Sequence, residues 1–279
     1  SASASQSAPA SAITLTDQAG RQVELDAPAD TLVSCYYVTT YATMALGISD
    51  RVVGLEKKAD TRPLYAMAAP DLLEKEQVGT MKELDLEAVA ALEPDLVVMP
   101  KKLMDYAAPL EELGIPVLVV NPESHEALTG MLELLGQACG VEDRAQALTD
   151  YYEEQLARVA QLVDGLERPT VYMGGNSSYL TAAPGDMYQS SLIETAGGVN
   201  AAADLTGGYW TEVSYESILA MAPQVILIPA GADYNPRTSW AIPSWPRCPP
   251  SSPVRSMRCQ AALRSGTPPF PPASWAPFG

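Results

Sequence analysis

The chain has 279 residues, is 47% hydrophobic and carries a formal net charge of −17. It can bury a sizeable core, either as one large domain or as two smaller ones. The negative charge opposes binding to nucleic-acid phosphates and to anionic membrane surfaces, and no run of about 18 apolar residues could span a bilayer.

Residues 1–12, SASASQSAPASA, are small and uncharged, which is typical of a flexible tether. Such a tether is what remains after removal of a signal peptide, and in bacterial lipoproteins it follows a lipidated cysteine. We therefore expect an extracytoplasmic protein, either periplasmic or anchored to the cell surface by lipid. Residues 13–25 then predict a hairpin, because two alternating segments flank Gln18-Ala19-Gly20.

Short apolar strands alternate with short helices in the next hundred residues. The predicted strands are 31–35, 52–55, 96–99 and 117–120, and the predicted helices are 40–46, 86–92 and 106–113. This alternation favours an α/β fold with a mainly parallel sheet covered by helices.

A helical region separates this series from a second one. It comprises a helix at 124–139 and a longer one at 142–166, which would be about 37 Å long at 1.5 Å per residue. The second series consists of strands at 170–173 and 225–228 and helices at 187–196 and 215–221. The sequence therefore predicts α/β units on both sides of the long helix.

An internal repeat supports this division. The segment LEAVAALEPDLVVMP at 86–100 aligns without gaps with YESILAMAPQVILIP at 215–229, and Glu87 matches Glu216. Each copy has a polar cap, a short helix, a proline that stops it and an apolar strand. Helix–proline–strand units also recur within ordinary α/β proteins, but the matching order around the long helix favours two equivalent lobes.

The composition changes abruptly after residue 235. Residues 236–279 contain five arginines and 11 of the 24 prolines, but no Asp, Glu or Lys. Proline at this density blocks helices and central strands. The segment is either a natural Pro-rich tail or, as we prefer, the product of a shifted reading frame, because permissible codons in another frame give ordinary globular sequence. In the second case the lobe at 167–235 is incomplete.

The sequence offers little support for an enzyme. It contains no GxxxxGK[ST], GxSxG, HExxH or GxGxxG motif. His125, the only histidine, lies near a helix start, where we expect it to be solvated, so neither a catalytic base nor a direct zinc or manganese site is indicated. Cys35 and Cys139 lie in apolar segments and are predicted to be buried free thiols.

Five segments carry a family resemblance. They are YVTTYATMALGISDRVVGLEKKA, VGTMKELDLEAVAALEPDLVV, LEELGIPVLVVNPES, DRAQALTDYYEEQLARV and GGVNAAADLTGGYWTEVSYESILAMAPQVILIP. In this order they resemble the solute-binding proteins of ABC importers for iron-siderophore complexes, haem and cobalamin (class III). The resemblance implies two Rossmann-like lobes, 13–141 and 167–235, joined by one long helix at 142–166, with a ligand cleft between the lobes.

The resemblance also implies a function. The protein would be monomeric and without a cofactor, and would capture a metal chelate for an ABC permease dimer. Glu87 and Glu216, one on each lobe, would dock onto that permease, although a carboxylate in the first turn also favours the helix dipole. A ferric siderophore is the favoured ligand, with cobalamin or haem as alternatives. A surface-anchored sensor or adhesion module of the same fold is the alternative from another functional class.

The ligand residues are expected in loops at the carboxyl ends of the strands, which line the cleft in open α/β sheets. Aromatic side chains give broad apolar contact, and lysines attract an anionic complex. The candidates are Tyr36, Tyr37, Lys57, Lys82, Lys101, Tyr179, Tyr209 and Trp210. Lysines at the surface are usually only solvated, so the aromatic pair Tyr209-Trp210 is the strongest candidate.

Overall fold

The computed structural model describes residues 12–207, 209–229 and 232–234. The predicted tail at 236–279 and nearly all of the tether lie outside these residues. The chain divides into two compact units, unit 1 (Ser1–Gln161) and unit 2 (Leu162–Gly279). None of the described helices is long and apolar enough to cross a membrane.

Among the described residues, unit 1 contains seven strands and six helices, of which the last continues for two residues into unit 2. The strands are β1 (Ile13–Thr16), β2 (Gln22–Leu25), β3 (Leu32–Ser34), β4 (Val52–Glu56), β5 (Glu76–Gly79), β6 (Leu96–Pro100) and β7 (Val117–Val120). The helices are α1 (Tyr37–Ala45), α2 (Pro63–Ala68), α3 (Leu86–Ala91), α4 (Ala107–Glu112), α5 (His125–Cys139) and α6 (Glu142–Val163). Short 3-10 helices lie at Ser49–Arg51, Ala59–Thr61, Pro70–Glu74 and Lys101–Tyr106.

The central sheet of unit 1 is parallel throughout, in the order β5-β4-β3-β6-β7. Apolar side chains cover both of its faces: Val98 and Leu118 belong to one buried cluster, and Val97 and Val119 belong to the other. Burial on both faces explains why these strands are continuous apolar runs. The predicted α/β class is confirmed.

The hairpin of β1 and β2 is antiparallel, as predicted. Its turn is closed by the buried Asp17 carboxylate, which accepts hydrogen bonds from the backbone N–H groups of Ala19 (2.9 Å) and Arg21 (2.8 Å). The same carboxylate accepts from the Val119 N–H at 3.2 Å, so one side chain shapes the turn and attaches it to β7.

The two described cysteines are buried free thiols, as predicted. Burial raises the pKa of both, to about 11 for Cys139, where the nearby Arg51 partly opposes the rise. For Cys35 the charge of Glu56 adds to the effect of burial. A thiol is nucleophilic only as the thiolate, so both cysteines are inert in the folded protein.

The expectation that His125 is solvated is wrong. Its side chain is buried at the start of α5, and ring Nδ1 lies 2.5 Å from the Tyr152 hydroxyl on α6. The sequence placed His125 correctly at a helix start. Its partner Tyr152 lies on α6, the next helix along the chain, and the local sequence pattern does not show that the two side chains meet.

Unit 2 has a smaller described framework. Its strands are β8 (Thr170–Met173), β9 (Thr181–Ala182), β10 (Val199–Asn200), β11 (Thr211–Glu212) and β12 (Val225–Leu227), and its helices are α7 (Tyr188–Thr195) and α8 (Tyr215–Met221). A parallel sheet has the order β10-β8-β12, and β9 and β11 form a separate antiparallel pair. Its described core cluster centres on Tyr172, Ala182, Ala202 and Ile218.

The internal repeat has a three-dimensional counterpart. Helix α3 is capped by the Asp85 carboxylate, which accepts from the Ala88 N–H at 3.0 Å. Helix α8 is capped by the Ser214 hydroxyl, which accepts from the Ser217 N–H, also at 3.0 Å. Each cap satisfies a backbone donor that the first helical turn leaves unpaired.

The backbone after the helix is also alike in the two copies of the repeat. Glu93 and Ala222, which are aligned in the repeat, both adopt the left-handed conformation, with φ of 45° and 46°. Two residues later, Asp95 accepts a hydrogen bond from the Thr31 N–H at 2.8 Å, and Gln224 accepts one from the Thr170 N–H at 2.9 Å. The repeat is therefore structural: in each unit the side chain before the repeat strand is hydrogen-bonded to the neighbouring strand.

Candidate ligand-binding site

The carboxyl ends of β3 and β4 lie side by side in unit 1. Ligands of open parallel sheets bind beyond such ends. The chain leaves β3 into α1, which begins at Tyr37, and leaves β4 into a segment that reaches α2 at Pro63. These two connections bring together one carboxylate, one guanidinium and four tyrosines.

The carboxylate is Glu56, the last residue of β4, whose side chain is only 7% exposed. It accepts hydrogen bonds from the Thr40 hydroxyl (2.8 Å), the Tyr65 hydroxyl (2.7 Å) and Nε of Arg62 (3.2 Å). Burial and the bond to Glu56 raise the pKa of Tyr65, so its phenol stays protonated and remains a donor. Both carboxylate oxygens are thus occupied by neighbours within unit 1.

The tyrosines form a chain of edge-to-face contacts. Ring centroids are 4.9 Å apart for Tyr36 and Tyr37, 6.1 Å for Tyr37 and Tyr41, and 5.2 Å for Tyr41 and Tyr65. Aromatic pairs prefer this arrangement because the positive ring edge meets the negative ring face. Tyr36 and Tyr65, the two ends of the chain of rings, are buried, whereas Tyr37 between them is 37% exposed, so the chain reaches the surface at Tyr37.

Arg62 completes the cluster at the surface. Its Cζ lies 4.3 Å from the Tyr37 ring centroid, within the range of a cation–π contact. The guanidinium is therefore held at one edge by Glu56 and on one face by Tyr37. We call Tyr37, Tyr41, Arg62, Glu56 and Tyr65 the Arg62 cluster.

Sequence reasoning selected Tyr36 and Tyr37 as candidates, but it did not select Glu56, Arg62, Tyr41 or Tyr65. One signal was available: Glu56 ends the apolar strand VVGLE, and a carboxylate at the end of a buried strand needs a partner. Which cation would supply it could not be read from spacing, because Lys57, Lys58 and Arg62 all follow closely. The two lysines are exposed, and the arginine donates a hydrogen bond to Glu56.

The three predicted lysines lie elsewhere. Lys57, Lys82 and Lys101 are exposed, and Lys57 lines a groove of about 400 Å³ together with Thr80, Glu83 and Glu87. The structure thus places Lys57 beside the predicted docking residue Glu87. Glu216, the counterpart of Glu87, is likewise exposed in the first turn of its helix.

In unit 2 the predicted aromatics follow β8 and precede β11. The Tyr172 hydroxyl donates to the Tyr179 carbonyl oxygen at 2.6 Å and thereby fixes the loop in which Tyr179 lies, and burial raises the pKa of Tyr172. Trp210 packs over Gly175, where a Cβ atom would lie 3.3 Å from the indole ring, so it has a packing role that the sequence did not suggest. Tyr209 is 59% exposed.

The described residues contain no group of three or more His, Cys, Asp or Glu side chains arranged to hold a metal ion. The Arg62 cluster presents one exposed tyrosine ring, that of Tyr37, with a guanidinium held against it.

The family model described as "Periplasmic binding protein" matches residues 32–238. The chain belongs to the periplasmic binding protein family. Its relatives include an uncharacterised ABC transporter substrate-binding lipoprotein, YvrC, of Bacillus subtilis, which is 28% identical over 230 residues that cover 78% of this chain and 69% of the relative. A vitamin B12-binding protein of Yersinia pestis is 24% identical over 205 residues, which cover 72% and 69% of the two chains.

Among solved structures, a periplasmic solute-binding protein from Veillonella parvula superimposes with a TM-score of 0.66 at 26% identity, and the match covers 81% of this chain and 70% of that one. Membership of the family establishes three predictions. The chain is a solute-binding protein of ABC transport, it acts outside the cytoplasm, and it is not an enzyme.

Proposed function

We propose that this protein captures a metal chelate, with a ferric siderophore as the favoured class, and delivers it to an ABC permease dimer. The Arg62 cluster is the observation that carries the proposal. An exposed tyrosine ring and a guanidinium held against it offer apolar area and N–H donors within one small surface, which matches an organic chelate with anionic oxygen groups.

The predicted lysines support an anionic ligand in a different way. Lys57, Lys82 and Lys101 are exposed on unit 1, whereas the whole chain carries a net charge of −17. Exposed lysines raise the potential over the surface of unit 1 and speed the arrival of an anion without touching it. We therefore assign them to attraction of the ligand, and assign contact to Tyr37 and Arg62.

In unit 2 we assign ligand contact to Tyr179, Tyr209 and Trp210. Tyr209 is the most accessible of the three, and Trp210 is held in place by packing over Gly175. Rigid aromatic side chains contribute contact area at a small loss of conformational entropy. Tyr36 is buried, so we assign it to support of Tyr37.

Cobalamin is the main alternative ligand, because the Yersinia pestis relative is a vitamin B12-binding protein. Haem is the other alternative, since its flat ring would suit the exposed tyrosine. Lipid anchoring at the cell surface, as in the YvrC lipoprotein, is the anchoring mode that we favour.

A thermal-shift panel tests the ligand class. The chain is heated with ferric citrate, ferrioxamine B, ferric enterobactin, haemin and cyanocobalamin, each separately. A ligand at 100 times its Kd stabilises the folded state by about 2.7 kcal/mol, which is readily seen as a rise in Tm. A shift with one ferric chelate supports the siderophore proposal, and a shift with cyanocobalamin or haemin alone replaces it by that alternative.

Two variants make the panel specific. Tyr37→Ala removes the exposed ring of the Arg62 cluster and should abolish most of the shift. Tyr151→Ala removes another exposed tyrosine, 62% accessible on α6, and should leave the shift unchanged. If no compound shifts the wild-type Tm, the capture proposal fails and the sensor or adhesion alternative takes its place.

We further propose that Glu87 and Glu216 dock onto the permease. They are aligned in the repeat, both are exposed, and each lies in the first turn of a capped helix. Changing both to lysine should leave the ligand-induced Tm shift intact but weaken stimulation of the permease ATPase in liposomes at least about tenfold, as expected when charge pairs across an interface become repulsive. A control with Glu153→Lys and Glu194→Lys, which are also exposed, should retain stimulation.

A further inference from the structure

Two contacts hold Arg62 in place. Its Nε donates to the buried Glu56 carboxylate at 3.2 Å, and its guanidinium lies over the Tyr37 ring at 4.3 Å. Glu56 is itself fixed by the hydroxyls of Thr40 and Tyr65. The side chain of Arg62 is 25% exposed, so it lies at the surface although the buried Glu56 carboxylate fixes its position.

The two terminal nitrogens of Arg62 differ from Nε in their hydrogen bonding. Neither Nη1 nor Nη2 donates a hydrogen bond to any residue that the structure describes, so their N–H groups remain available. Terminal guanidinium nitrogens form a planar fork whose spacing matches the two oxygens of a carboxylate. An arginine whose orientation is already fixed loses less conformational entropy when it binds.

We propose that Arg62 binds a carboxylate of the ligand through this fork, and that Glu56 is the positioning residue that presents it. The inference rests on the proposed function and narrows it to chelates that carry a free carboxylate, as citrate-type siderophores and haem do and ferrioxamine B does not. Glu56 does not touch the ligand. It fixes the edge of the guanidinium that faces the protein, and so leaves the other edge for the ligand.

Binding measured by calorimetry tests the role of Arg62. Ferric citrate and haemin are the probes with carboxylates, and ferrioxamine B is the probe without one. Arg62→Gln and Arg62→Lys should each weaken binding of a carboxylate probe roughly ten- to hundredfold, because a charge-assisted bidentate contact is lost, and should weaken ferrioxamine B binding much less. Arg158→Gln, which changes an exposed arginine on α6, is the matched control.

The result for Arg62→Lys is the sharpest, because lysine keeps the positive charge and loses only the fork. If Arg62→Lys binds the carboxylate probes as tightly as the wild type, charge alone suffices and the proposal is overturned. If Arg62→Gln weakens ferrioxamine B as much as the carboxylate probes, Arg62 has no carboxylate preference and the proposal is again overturned. In both cases capture of chelates would still stand.

Glu56→Gln separates positioning from charge. If Glu56 positions Arg62, the substitution weakens carboxylate binding several-fold although it removes a negative charge; if Glu56 only opposes anions, binding becomes stronger and the positioning role is wrong. The ¹⁵N signal of Arg62 Nε, assigned from the Arg62→Lys spectrum, should move towards that of a solvated arginine in Glu56→Gln. A Tm within a few degrees of the wild type shows that the variant has folded.

One experiment remains decisive even if none of the chelates binds. Free citrate is titrated into the labelled wild-type chain, with trimethyl citrate as the uncharged control. Movement of the Arg62 Nε signal with citrate and not with the triester supports the carboxylate site, while the absence of chelate binding would refute the transport proposal separately. An Arg62 signal that does not move with citrate overturns the site.

Discussion

The aligned segments at 86–100 and 215–229 share a capped helix, a left-handed residue and a strand, in that order, in two different surroundings. In unit 1 the repeat strand is β6, which is buried along its whole length between β3 and β7. In unit 2 the repeat strand is β12, which pairs with β8 and has no partner on its other side among the described residues, so its side chains are only partly buried. Local sequence thus determines the helix, the left-handed turn and the strand, whereas the neighbouring strands determine how much that strand contributes to stability.

The largest expected difference is in the rate at which each unit opens. In a first variant Cys139, Cys248 and Cys259 are changed to serine, so that Cys35 is the thiol that reports opening of unit 1. In a second variant Cys35 is also changed to serine and Ala182 to cysteine, so that the new thiol reports opening of unit 2, where Ala182 is fully buried. Unit 2 has fewer described strands in its sheet and a smaller described core cluster. The thiol at residue 182 should therefore react with a disulfide reagent roughly a hundredfold faster than Cys35, when each rate is divided by the rate of the same thiol in the urea-unfolded chain. Equal rates would mean that the two units open together.

Core truncation sharpens this comparison. Leu118→Ala in β7 and Ile218→Ala in α8 each remove a fully buried side chain and should each reduce the free energy of unfolding by about 2–5 kcal/mol. The first should accelerate labelling only at Cys35, and the second only at the thiol placed at residue 182. If either variant accelerates both sites equally, the boundary between the units does not separate two cooperative units.

The hydrogen bonds before the two repeat strands should differ by a smaller amount. The Asp95 carboxylate accepts from the Asp30 N–H, the Thr31 N–H and the Thr31 hydroxyl, whereas the Gln224 amide oxygen accepts from the Thr170 N–H. Asp95→Ala should therefore destabilise by about 1–2 kcal/mol and Gln224→Ala by less than about 1 kcal/mol in urea unfolding. Asp95→Asn, which keeps one acceptor oxygen, should recover part of the loss; equal losses for both alanine variants would contradict this account.

The smallest effect concerns the left-handed residues that end α3 and α8. Glu93→Gly and Ala222→Gly relieve a left-handed strain of about 1–2 kcal/mol but increase the entropy of the unfolded chain, so each should stabilise by up to about 1 kcal/mol. Ala88→Gly, inside α3, is the control and should destabilise by about 1 kcal/mol. Loss of stability in both left-handed variants would show that these residues are not strained.

Much of the site was outside the reach of sequence reasoning. The positions of Tyr37, of the loop aromatics of unit 2 and of the repeat glutamates could be predicted, because each follows or begins a recognisable element; their roles stay predictions. Arg62 and Glu56 could not be paired, since several cations follow Glu56 within a few residues and only the path of the chain into α2 selects one of them. The prediction of a solvated His125 was wrong for a similar reason: the local pattern does not show that Tyr152, on the following helix, meets its ring.

The sequence by itself determined the α/β class, the parallel strands, the buried thiols and the repeat, because apolar periodicity, helix caps and prolines act over a few residues. Tertiary structure alone decided which side chains meet. The buried Glu56 carboxylate must be satisfied by whichever donors the fold brings to it, and it is satisfied by Thr40, Tyr65 and Arg62. That requirement, and not any local pattern, places a fixed guanidinium beside an exposed tyrosine ring.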